Sequence, residues 1–183
     1  NIYGLSLFLC LALGLTACGG GPTVVESDLG LDDAPDWVNE GSQALDAQEG
    51  RYIHGVGMAP TMPDRSLQVA TADNRARAEV ARVLSSYMHV VSQDYTAAVG
   101  QGQQAYSEQA VSRQIDNITR LNMSGVRIIA HWRNEDTGAI YALAELDMQR
   151  VRDVVGKVEM MNADFKSYFE THADAIFKDF SED

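Results

Sequence analysis

The sequence predicts an α+β fold: a small antiparallel sheet, ordered strand–long helix–β-hairpin, packed on the long helix and followed by C-terminal helices. Three observations predict it. From Ser66 to Gly100, apolar residues recur at Val69, Ala72, Ala76, Val80, Val83, Tyr87 and Val91. That three-or-four spacing gathers them on one side of a helix. Between Gly125 and Asp147, two alternating runs flank a short polar turn, which is the pattern of a hairpin. Ahead of the helix, Arg51 to Met58 alternates as a further strand.

Composition bounds the rest. The chain has 183 residues, of which 45% are hydrophobic, and this suits one domain with its own core. The net charge of -12 comes from 26 acidic and 14 basic residues, with no Lys- or Arg-rich run. Such a surface repels nucleic acid and anionic head groups, so nucleic acid is not an expected partner. The two cysteines, Cys10 and Cys18, both lie near the N-terminus. The folded region therefore has no disulfide, thiol nucleophile or thiolate metal site.

Residues 2–17 are almost wholly apolar, too short for a comfortable membrane span, and end in small side chains. They read as a signal-peptide core, which makes 1–17 a signal peptide. The basic stretch that normally precedes such a core is not in the sequence, which starts at Asn1, so a few earlier residues are expected. Leu15-Thr16-Ala17-Cys18 resembles the lipobox of bacterial lipoproteins. The resemblance implies cleavage before Cys18, lipid on its sulfur and an acyl chain such as palmitate on its new amine. Two or more chains anchor firmly where one does not. Gly at position 19, rather than Asp, points by the same resemblance to the outer membrane of a diderm bacterium; the sequence leaves the membrane face open, with the periplasmic side as the default for the domain. Residues 18–36 are rich in Gly, Pro and acidic side chains and read as a flexible tether. Asp32-Asp33 lacks the alternating oxygen ligands and closing Glu of a calcium loop.

The folded part is expected over 37–160, with 161–183 as a C-terminal amphipathic helix. Trp37 is the expected docking point of the tether, and Gly41 to Gly50 is expected to be irregular with a short helical turn. In the first strand, Gly55-Val56-Gly57 invites a nucleotide-binding reading. The third glycine of that fingerprint is missing, and Pro60 and Pro63 separate the glycines from the helix. The glycines instead predict a close crossing of strand and helix backbones or a bulge. The alanines place that approach near Ala72 and Ala76. Asp64 or Ser66 is the expected cap, and Arg75 and Glu79 are spaced to pair. At 1.5 Å per residue the helix is about 50 Å long, longer than a small sheet needs, which predicts a projecting end.

After Gly100 to Gln104, a second helix is expected from Tyr106 to Leu121, with Ala110, Val111, Ile115, Ile118 and Leu121 as its apolar side. In the hairpin, Val126, Ile128, Ala130 and Trp132 are expected on one face, opposite Ile140, Ala142, Ala144 and Leu146. Asn134 to Gly138 is the turn. Asp147 is placed to cap a helix carrying Val151, Val154, Val155 and Val158, and Asn162 one from Ala163 to Phe180. In the last helix Phe165, Phe169, Ile176 and Phe180 lie on one side, with Tyr168 and Phe177 adjacent. That stripe reads as core or as a subunit contact.

Taken together, the lipobox, the tether, the Pro35-Asp36-Trp37-Val38 segment, the Tyr52-to-Ala59 strand and the helix with Ala76, Arg77, Ala78, Val80, Ala81, Arg82 and Leu84 resemble the LPP-twenty family of small outer-membrane lipoproteins. That family includes flagellar basal-disc proteins of FlgP type. The resemblance covers roughly Trp37 to Val158, with Gln101 to Leu121 and the tail after Met161 outside it. It implies a strand–helix–strand–strand unit and, for flagellar members, assembly into rings or discs. It supplies no catalytic residues. The four histidines, His54, His89, His131 and His172, form no local metal pair, although His54 and His131 would meet if their strands were adjacent. No nucleophile elbow, phosphate loop or zinc-protease helix is present. The expectation is a non-catalytic outer-membrane lipoprotein, lipidated at Cys18, with no metal or cofactor. It would self-associate as a structural subunit of an envelope assembly. The alternative is a tethered periplasmic module that binds another envelope protein, and an enzyme acting on envelope material ranks behind both.

Overall fold

The computed structural model describes residues 30–45, 51–99, 108–159 and 161–182. The expected signal peptide, Cys18 and most of the expected tether lie outside these residues, and the side chains of Ala110 and Val111 are not among those described. The fold is α+β, a small antiparallel sheet packed with helices. A four-residue helix α1 (Asp36–Asn39) and a 3-10 turn (Gly41–Ala44) precede strand β1 (Tyr52–Ala59). The long helix α2 (Arg65–Val99) and helix α3 (Glu108–Met123) come next. Strands β2 (Arg127–Arg133) and β3 (Ile140–Asp147) form the hairpin, followed by α4 (Met148–Lys157) and α5 (Ala163–Glu182).

The strand order is β1-β3-β2, so the second strand of the hairpin is the centre of the sheet. Residues opposite one another share a face. Ile53, Gly55, Gly57 and Ala59 of β1 pair with Leu146, Ala144, Ala142 and Ile140 of β3, and all eight are buried. α2 lies over this face with Ala72, Ala76, Val80, Leu84, Tyr87, Met88 and Val91 buried. The expected close crossing is present. A Cβ on Gly57 would lie 2.2 Å from the Ala76 nitrogen and 2.5 Å from the Ala72 carbonyl oxygen, and one on Gly55 would lie 2.6 Å from the Ala76 oxygen. Strand glycines and helix alanines thus let two backbones touch with no side chain between them.

The expected caps form. Asp64 Oδ1 accepts from the Ser66 and Leu67 amides at 2.8 and 3.1 Å. Asp147 Oδ1 accepts from the Gln149 amide at 2.8 Å, and Asn162 Oδ1 from the Asp164 amide at 2.7 Å. Each satisfies an amide that the first helical turn leaves without an intrahelical partner. The hairpin turn closes on Gly138, at φ 69°, whose amide donates to the Asn134 carbonyl at 2.8 Å.

Four local expectations change. First, the part of α2 beyond the sheet does not project bare: α5 packs along it. Tyr87 makes edge-to-face contacts with Phe169 and Phe177, and Tyr95 with Phe165 and Tyr168. Phe169, Ala173 and Phe177 are buried in the same core as the sheet, which resolves the aromatic stripe as core. Second, β2 carries a bulge at Ile129: Ile128 pairs with Ala144, but Ala130 pairs with Leu143. The extra residue moves Ala130 and Trp132 to the opposite face from Val126 and Ile128. Third, in α3 Leu121 is 45% exposed while Asn122 is fully buried, because the helix turns Ile115, Ile118 and Asn122 inward. Fourth, Glu79 pairs with Arg82 rather than Arg75, Nη2 to Oε1 being 2.6 Å. Arg75 instead donates from Nη1 to the Met58 carbonyl at 2.6 Å.

Candidate functional site

The sheet face turned away from α2 is the surface with the most concentrated chemistry. Alternation puts Tyr52, His54, Val56 and Met58 of β1 there, with Tyr141, Leu143, Glu145 and Asp147 of β3. β2 adds Arg127 and, beyond the bulge, Ala130 and Trp132. The face has two ends of different character.

At the charged end, Glu145 takes two partners with its two oxygens. His54 Nε2 lies 3.3 Å from Oε2, and Arg127 Nη2 lies 2.8 Å from Oε1. His54 is only 8% exposed, so its contact with Glu145 is a part-buried one. A buried polar group of this kind is tolerated only when it is paired. Beside it, Arg51 Nη2 lies 3.5 Å from Asp147 Oδ2, and its guanidinium carbon sits 5.1 Å from the centre of the Tyr52 ring. At the apolar end, the Trp132 and Tyr141 rings are 5.5 Å apart, Met58 is 39% exposed, and Leu143 is buried between the outer strands.

The two histidines singled out in the sequence do not meet. β3 separates their strands, and the bulge sends His131 to the helix side, where its Nε2 lies 2.6 Å from Asp73 Oδ1 of α2. His54 and His131 therefore make two separate hydrogen-bond contacts, each with its own carboxylate. The bulge is the reason: without it His131 would share a face with Arg127 and Ile129. Among the described residues, no group of three or more His, Cys, Asp or Glu is placed to hold a metal ion. No described helix is long and apolar enough to cross a membrane. His89 and His172 point Nδ1 at helical carbonyls, of Ser85 and Tyr168, on the protein surface.

Away from the sheet, two tyrosines bind α5 to α2. The buried Tyr87 hydroxyl donates to the Ala173 carbonyl at 2.8 Å, and burial pushes its ionisation well above the ordinary tyrosine range. Tyr168 donates to Asp94, and this hydrogen bond, with burial and the carboxylate charge behind it, pushes its pKa up to about 12. Arg152 of α4 pairs with Asp174 of α5. On α2, the hydrogen bond from Arg82 holds Glu79 below the usual carboxylate range and raises Arg82 in turn.

Sequence reasoning found His54 as a strand residue and missed its partner. The signal was present: Glu145 sits in the apolar-alternating strand at a position whose neighbours on the same face are Leu143 and Asp147. Cys18, the predicted lipidation residue, lies outside the described residues. No protein-family model and no curated protein sequence matches the chain.

Proposed function

We propose that this chain is a lipid-anchored outer-membrane protein without catalytic activity, acting as a structural subunit of an envelope assembly. The observation that carries this reading is Leu15-Thr16-Ala17-Cys18 at the end of the apolar run 2–17. Its resemblance to a lipobox implies acylation at Cys18, and the Gly that follows favours the outer membrane. The resemblance of Trp37 to Val158, Gln101 to Leu121 excepted, to the LPP-twenty family extends the reading to a ring or disc, of which a flagellum-associated one is the most specific form. The close backbone approach of β1 and α2 supports a rigid body, which suits a structural subunit.

A second reading has its own observation. The half-exposed Met58, Trp132 and Tyr141 on the outer sheet face are the residue types that recognition surfaces favour, and they support a tethered periplasmic module that binds one envelope partner.

The test has two parts. Feeding cells labelled palmitate should label the protein and fail to label Cys18→Ser. A wild-type protein that takes up no label refutes the anchor. The native mass of the acylated protein in mild detergent then separates the readings. A large uniform multiple of the protomer supports the ring or disc. A monomer overturns it in favour of the binding module.

A further inference from the structure

We draw no further inference here: the strongest candidate, the aromatic end of the outer sheet face formed by Met58, Trp132 and Tyr141, is a half-exposed apolar surface, and nothing in the structure shows what covers it.

Discussion

Replacing Gly57 with alanine tests the contact on which the whole sheet depends. A Cβ there would meet the Ala76 nitrogen at 2.2 Å, the Ala72 oxygen at 2.5 Å and the Arg75 carbonyl carbon at 2.7 Å. All three are backbone atoms of α2, so no rotamer change can make room. Ordinary contact begins at 3.4 Å, and 3.4 minus 2.2 leaves 1.2 Å by which strand and helix must separate. That displacement loosens Ala72, Ala76 and Val80 against the sheet together. Overpacking of a core costs roughly 1–3 kcal/mol where side chains can adjust. With only backbone to move, the expected loss is about 3 kcal/mol or more, a large part of the ~5–15 kcal/mol that holds a domain together. Urea unfolding of the Cys18→Ser protein, followed by circular dichroism, reads this directly. A Gly57→Ala protein within about 0.5 kcal/mol of its parent, the range typical of surface substitutions, would refute the close-approach argument.

Gly156→Ala supplies the opposite sign. It sits in α4 with nothing within 4 Å of an added Cβ, so the same assay should show a gain of about 0.5–1 kcal/mol from helix propensity alone. Glu145→Ala should cost about 1–3 kcal/mol, because it leaves His54 buried without its hydrogen-bond partner, whereas His54→Ala should cost less, since Glu145 keeps Arg127. Equal losses from the two variants would show that the Glu145 network is not shared as the geometry requires. Stability should also fall at high pH. Tyr168 titrates near 10 when unfolded and about 12 when folded, so its contribution is complete below pH 10 and is lost as pH rises from 10 through 12. Tyr87 acts in the same direction, so Tyr168→Phe should lessen the loss across that window without abolishing it, and an unchanged melting profile between pH 9 and 12 would contradict both.

What could be read from the sequence was whatever local periodicity and local chemistry decide. Most of the stripe of α2, its cap at Asp64, the caps at Asp147 and Asn162 and the glycine–alanine crossing all depend on neighbours a few residues away or on the lack of a side chain; within the stripe, Leu84 and Met88 are buried where Val69 and Val83 are only partly so. What could not be read depends on partners distant in the chain. Gln68 looks like a surface residue, yet it is buried because its Nε2 donates to the Gly138 carbonyl at 2.9 Å, seventy positions away. The bulge at Ile129 leaves the alternation of Val126, Ile128, Ala130 and Trp132 intact on paper, since only pairing with β3 reveals the inserted residue. The strand order had the same effect on the site. Placing β3 between β1 and β2 gave His54 a glutamate, and the bulge in β2 carried His131 to Asp73, pairings that spacing along the chain does not encode.

The bulge has a further consequence for how copies of this protein behave when crowded. An outer strand with an unbroken row of backbone groups invites another strand to add, and repeated addition leads to fibres. β2 interrupts that row at Ile129 and flanks it with Arg127, His131 and Arg133. On the other side, the ladder set by the Met148 amide on the Arg51 carbonyl turns the Met58 carbonyl outward, where Arg75 already occupies it. Both margins of the sheet thus discourage growth strand by strand. Where copies crowd together, the bulged margin and the occupied Met58 carbonyl disfavour the addition of a further strand to the three-stranded sheet.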